Sequence, residues 1–390
     1  MPSRVMTSAD LEAAGWSDLF DAGLVEKGVG RPRFADLDAL AAAIASGARA
    51  SLAIMTDSTG RGWGSNGLPS GAGVAGDANN NRLALAWPQQ LAGLLEATGL
   101  PSRSDAIFGS GNTTNNTAAE AMAANPILGL GAGWTPIGTI SLGGRIFENT
   151  ADLSSFTGTP TKSANAMDLL YVQNTGYAQF TVTDPSGTLD TVTAAGSLAV
   201  IKRTVTRGIS STAPFSVQKV AGDIAKTIRL IGAVFYDTTK PMFEIWNMGA
   251  GGFATTNWLS ATTAVAPYNA MIVMPPTQWI VELGANDIAG GVADATFETN
   301  LRNLVDRALS VAPTSLAIPP SARDGSGTYN IPAGYLTAIA NIKAARDAMT
   351  PTLNFRGRSG LVVADYFDSS VHMTRSGNAK RAYAAQTWLA

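Results

Sequence analysis

Apolar residues near the start of the chain recur at helical spacing. Leu11, Ala14, Phe20 and Leu24 fit one helical face, and Leu37, Leu40, Ala41 and Ile44 fit a second. Gly47 closes that second helix, as glycine does at helix C-termini. The pattern then changes. Residues 51–56 (SLAIMT) form a short apolar run, which predicts a strand buried on both faces. Polar, glycine-rich chain follows at once in residues 57–64 (DSTGRGWG). Residues 88–97 predict a helix with proline in its first turn. Residues 105–108 predict a second short strand, running into GSGNTT at 109–114.

From about residue 134 to 258 the texture differs. Leu170 and Val172, then Ala178, Phe180 and Val182, alternate with other residues, and turn signals stand at 174–176 (NTG) and 184–187 (DPSG). Further runs lie at 198–201, 228–236 and 243–246. Short strands at short spacing predict an antiparallel sandwich, carried as an insertion. Helix–strand alternation then returns, with strands at 279–283, 315–318 and 361–364 and helices at 294–310, 332–349 and 376–389. The expected fold class is α/β: a three-layer α/β/α parallel sheet interrupted by a β-sandwich domain. The expected division is residues 1–134 and 263–390 for the two parts of the α/β domain and 135–262 for the insertion.

Composition narrows the function. Hydrophobic residues make up 45% of the 390, enough for a sizeable core. Charged residues are only 14%, and the many small polar residues give the texture of a secreted or virion protein. With a net charge of -2 and no basic block, a nucleic-acid partner has no electrostatic support. There are no cysteines, which removes disulfides and thiol nucleophiles. A single histidine without cysteine does not build a usual zinc site, and no EF-hand-like spacing is present, so no metal or cofactor is expected. Residues 1–16 lack a long apolar stretch and carry Asp10 and Glu12, so no secretory leader is expected. No apolar run approaches the ~20 residues a membrane span needs, so a soluble protein with no membrane partner is expected.

Candidate chemistry gathers at the ends of the predicted strands. Thr56-Asp57-Ser58 follows the first, Ser110 to Thr113 the second, Gly284 to Asp287 the third, and Asp368 to His372 the last. In a doubly wound sheet the carboxyl ends of neighbouring strands converge on one edge, so these clusters can meet. A serine hydroxyl is a poor nucleophile until a base takes its proton. Neutral imidazole does this near pH 7, and a carboxylate fixes its tautomer. The oxyanion then needs donors, and a serine N–H, a glycine N–H and an asparagine amide would supply three.

In this order the clusters resemble the four blocks of the SGNH (GDSL-like) serine hydrolases. The motifs are MTDSTG, GSGNTT, ELGANDI and DSSVHMTRSGNAKRA, over residues 50–115 and 278–390. The resemblance implies a flavodoxin-like SGNH hydrolase fold. It implies Ser58 as nucleophile, His372 as base, and Ser58, Gly111 and Asn286 as the oxyanion hole. Two positions depart from the family. Thr56 stands where glycine is usual, and the acid usually three residues before the histidine is replaced by Ser369. Either Asp368, four residues before, completes a triad, or a Ser–His dyad operates; Asp368 is preferred over the dyad and over Asp365.

Plainer roles exist for the same residues. Ser58 alone reads as a turn serine or helix N-cap, Asn286-Asp287 as a cap, and Gly111 as a turn glycine. Asp57 is expected to brace the loop and Asp287 to be structural. Trp63 and Trp134 either line a sugar groove or pack in the core. The expected activity is a carboxylic ester hydrolase, taking O-acetyl groups from a carbohydrate or polysaccharide. Small esters are also expected substrates. Composition and the absent leader also resemble esterase modules of phage tail proteins. The alternatives are a catalytically weak or inactive glycan-binding module on the same fold and a short-chain lipolytic esterase. The oligomeric state is left open.

Overall fold

The computed structural model describes residues 38–62, 83–112, 117–240, 242–260, 264–319, 331–345, 353–355, 372–373 and 375–389. In chain order the elements begin with α1 (Asp38–Ala45), β1 (Ala50–Met55), α2 (Ser58–Arg61) and α3 (Trp87–Ala97). Then come β2 (Ser102–Arg103), β3 (Ala106–Phe108) and α4 (Ala118–Ala124). The strand-rich middle has β4 (Leu128–Leu130), β5 (Trp134–Ser141), β6 (Gly144–Asn149), β7 (Phe156–Gly158) and β8 (Ala164–Gln173). It continues with β9 (Gln179–Asp184), β10 (Gly187–Thr193), β11 (Ala199–Ser211), β12 (Phe215–Lys219) and β13 (Ile228–Tyr236). Next are β14 (Phe243–Asn247), α5 (Thr255–Leu259), α6 (Pro267–Val273), β15 (Gln278–Val281) and α7 (Ala285–Ala289). The chain closes with α8 (Asp294–Leu309), β16 (Thr314–Ile318), α9 (Ala333–Ala344), β17 (Leu353–Asn354) and α10 (Arg375–Leu389).

Six strands form a parallel sheet in the order β17-β16-β15-β1-β14-β2. All six residues of β1 are buried, which is why its sequence shows no alternation. Leu52 and Ile54 pack with Leu40 of α1, Trp87 and Leu91 of α3 and Leu389 of α10. On the opposite face Ala53 and Met55 join Trp279, Val281 and residues of α8 and α9, among them Phe297, Leu304 and Ile342. Helices therefore cover both faces, in three layers. Among the described residues no helix is long and apolar enough to cross a membrane.

Two strands stand elsewhere than the sequence predicts. Residues 243–246, expected in the insertion, lie in β14, a parallel strand between β1 and β2. Glu244 interrupts the apolar run, so the segment does not read as a strand buried on both faces. All five residues of β14 are in fact buried, and the Glu244 carboxylate is neutralised by Arg49 Nε at 2.6 Å. Conversely, residues 105–108 were expected in the parallel sheet, but β3 pairs antiparallel with β13. A three-residue strand has too little pattern to reveal its sheet. The pairing depends on Gly232, where a Cβ would fall 1.9 Å from the Ile107 carbonyl oxygen. At the other edge β17 pairs β16. The strand expected at 361–364 and the first helix expected before residue 37 lie outside the described residues.

The strand-rich middle forms two antiparallel sheets, β10-β9-β12-β7-β4 and β11-β8-β13-β6-β5. They meet through aromatic pairs. Phe215 of β12 lies 5.8 Å from Phe235 of β13, Tyr171 of β8 5.4 Å from Phe180 of β9, and Phe147 of β6 5.6 Å from Phe156 of β7. Their shared core is continuous with the face of the parallel sheet that carries Ala53 and Met55.

Phe235 is fully buried where these two sheets meet. Its truncation to alanine is expected to lower unfolding free energy by about 3–5 kcal/mol, read from urea denaturation. A loss under about 1 kcal/mol would show that the two sheets do not share this core.

Candidate active site

Ser58 opens α2, a single turn directly beyond the carboxyl end of β1. One turn has no stability of its own, so its polar ends must be held from outside. Asp57 caps it, its Oδ1 accepting from the Thr59 N–H at 2.8 Å. Gly62 ends it in the left-handed conformation (φ 87°) and donates its N–H to the Ser58 carbonyl. Asn247, at the end of β14, donates Nδ2 to the Gly60 carbonyl at 2.8 Å, and Arg381 of α10 donates Nη1 to the Thr59 carbonyl at 2.9 Å. Ser58 is thereby fixed as the first residue of a helix, where its own N–H has no intrahelical acceptor. His372 Nε2 lies 2.9 Å from Ser58 Oγ, although 314 residues separate them. That is hydrogen-bond reach for a nucleophile and its base.

A buried polar network lies beneath this turn. Glu282, the residue after β15, is fully buried and accepts from Thr56 Oγ1 and from Trp87 Nε1, both at 3.1 Å, and from Arg381 Nη2. Burial pushes the Glu282 carboxyl up to about 7, although the Arg381 charge pulls it down. Burial also raises the Asp57 carboxyl. Thr56, the departure from the family pattern, is absorbed here. Its hydroxyl bonds Glu282, and glycines make room for its side chain: a Cβ at Gly60 would lie 2.2 Å from Thr56 Oγ1, and one at Gly249 2.7 Å from Thr56 Cγ2.

The other expected site residues are placed as follows. Gly111 has φ 79°, its N–H donates to the Gly143 carbonyl at 2.8 Å, and its carbonyl accepts from Gly251 at 2.9 Å. Its amide is thus engaged within the backbone. Asn286 follows β15 in α7 and donates Nδ2 to the Phe253 carbonyl at 2.8 Å, leaving its second amide hydrogen. Asp287 accepts from the Thr255 N–H and from Thr255 Oγ1 (2.6 Å), a structural tie to α5. Asp365, Asp368, Ser369 and Trp63 lie outside the described residues. Trp134 is core: it is fully buried, its Nε1 donates to the Ser154 carbonyl at 2.9 Å, and its ring packs on Phe156. Trp246, Trp258, Tyr171, Tyr177 and Tyr236 of the middle segment are buried as well.

Sequence reasoning missed Glu282 and Arg381. The signal was there, since a lone glutamate in the run QWIVEL and an arginine directly before the small-residue run AYAA each interrupt buried chain.

No protein-family model matches the chain, and no curated protein resembles it in sequence. Among solved structures, one titled "Peptidoglycan O-acetylesterase in action, 5 min" is similar with a TM-score of 0.63 at 15% identity, over 92% of this chain and 95% of that one. A family two carbohydrate esterase from Cellvibrio japonicus is similar only at a TM-score of 0.30 and 11% identity, over 73% and 96%. A lipase/acylhydrolase from Enterococcus faecalis stands at 0.31 and 17%, over 37% and 75%. The likeness to the first of these shows the fold alone: the parallel sheet with its covering helices matches an SGNH hydrolase fold.

The raised Glu282 carboxyl has a signed consequence. The native state holds this proton up to about pH 7, whereas the unfolded chain releases it near 4.5, so Glu282 lowers stability progressively as pH rises between those values. The stability difference between wild type and Glu282→Gln is therefore expected to shrink over that window, measured by urea unfolding at each pH. A difference independent of pH would contradict the raised carboxyl.

Proposed function

We propose that this protein is a serine esterase in which Ser58 attacks an ester carbonyl and His372 acts as general base. The observation that supports it is the 2.9 Å approach of His372 Nε2 to Ser58 Oγ at the carboxyl edge of a parallel sheet. With its proton on Nδ1, the imidazole takes the Ser58 proton on Nε2 as Oγ bonds to the carbonyl carbon. The carbonyl π pair moves to oxygen. Collapse of the tetrahedral intermediate breaks the ester C–O bond, and His372 returns the proton to the departing alcohol. Water, deprotonated in turn by His372, then releases the acid from Ser58. Asp368 is proposed as the acceptor that holds the Nδ1 proton. The Ser58 N–H and the second amide hydrogen of Asn286 are proposed oxyanion donors. Gly111 joins them when its N–H leaves the Gly143 carbonyl.

The proposed substrate is an O-acetyl group on a carbohydrate or polysaccharide. The similar fold of a peptidoglycan O-acetylesterase supports this choice. The two antiparallel sheets are proposed as an inserted β-sandwich that borders the glycan. Their tryptophans and tyrosines are buried, so sugar contact there would be made by polar side chains rather than by stacking on these rings.

Hydrolysis of p-nitrophenyl acetate tests the reaction. Ser58→Ala and His372→Ala are each expected to lower kcat by about 10⁴-fold, and Asp368→Ala by about 10²- to 10⁴-fold. Undiminished turnover by Ser58→Ala would refute the nucleophile. Acetate release from an acetylated polysaccharide tests the substrate class. Cleavage confined to long-chain p-nitrophenyl esters would replace it with a lipolytic one.

A further inference from the structure

Arg61 ends the helical turn that Ser58 begins, and it is 3% exposed. Its Nε, Nη1 and Nη2 all lack a hydrogen-bond partner. Among the described residues the other buried arginines are provided for. Arg103 donates to the Phe235 and Ser163 carbonyls, Arg207 to the Ala164 and Ser211 carbonyls, and Arg381 to Glu282 and the Thr59 carbonyl. Burial alone shifts Arg61, down to about 10, with no carboxylate acting against it, and the guanidinium remains charged at neutral pH. An isolated charge in such a place destabilises the fold, so its retention beside a reactive serine points to use.

The place is specific. The guanidinium lies against Gly111, where a Cβ would fall 2.4 Å from Nε and 2.6 Å from Nη2. Gly111 belongs to the second motif and is held to Gly251, close to the end of β1, by a 2.9 Å hydrogen bond. With its nitrogens closed to solvent, Arg61 acts on charge nearby rather than by gripping a ligand. We propose that Arg61 is the counter-charge of the tetrahedral intermediate: its uncompensated positive field favours the negative oxygen formed when Ser58 attacks. This rests on the esterase reading above. A preorganised charge in a water-poor site requires no reorganisation when the oxyanion forms, and its effect belongs to the transition state rather than to substrate binding.

The test compares wild type with Arg61→Met, Arg61→Gln and Arg61→Lys on p-nitrophenyl acetate, with melting temperature measured in parallel. Arg61→Met and Arg61→Gln are expected to lose about 30-fold in kcat with KM nearly unchanged, while Arg61→Lys, which keeps the charge, retains most of it. Arg61→Met is also expected to melt above wild type, because a buried unpaired charge has been removed, whereas a merely structural arginine would melt lower when replaced. Unchanged kcat in Arg61→Met overturns the proposal. So does equal loss in Lys and Gln variants, which the soluble pair decides even if the Met variant fails to fold. An inactive wild type removes the esterase reading itself, and this inference with it.

Discussion

Arg381 donates at once to the Glu282 carboxylate and to the carbonyl of Thr59, and Glu282 in turn accepts from Thr56 and Trp87. Through these few bonds the last helix α10, the end of β15, helix α3 and the turn that carries Ser58 are tied together. The pair is wholly buried, and a buried ion pair is a poor source of net stability, because desolvation offsets most of its attraction. Its value is positional. A one-turn helix would not persist alone, yet Ser58 must stand within hydrogen-bond reach of a histidine from the far end of the chain. Rigid polar ties beneath the turn provide that where apolar packing, which is not directional, would not.

The same trade of stability for electrostatic order recurs around the turn. Asp57 is buried and raised, Glu282 is buried and raised, and Arg61 is buried without a partner. Each charge is unfavourable in isolation. Together they lie around the strand end where a reaction would develop charge, and perturbed groups concentrate at such places. The large hydrophobic cores on both faces of the sheet and between the antiparallel sheets leave the molecule able to bear them.

Much of this was legible in the sequence. The strand at β1 and the helices α3, α8 and α10 followed from periodicity and turn chemistry. The approach of His372 to Ser58 was expected from converging strand ends, but the strand expected before His372 lies outside the described residues and the one before the second cluster pairs antiparallel with β13. What was not legible has physical causes. Glu244 hid a buried parallel strand because its charge is cancelled by Arg49, a residue distant in sequence. Strand β3 was too short to declare its sheet, and the glycine that admits it, Gly232, lies over 120 residues away. Trp134 was ambiguous because a tryptophan's position in a groove or a core depends on the neighbours that fold around it. The roles of Glu282 and Arg381 needed the fold itself, since neither has a partner nearby in the chain.

Reaction with an alkyl fluorophosphonate, followed by peptide mass spectrometry, tests the central claim most directly, because only an activated serine is phosphonylated rapidly at neutral pH. One adduct is expected, on Ser58, and it should be lost in His372→Ala. An unlabelled wild-type protein, or an adduct on another serine with Ser58 unmodified, would contradict the assignment of nucleophile and base.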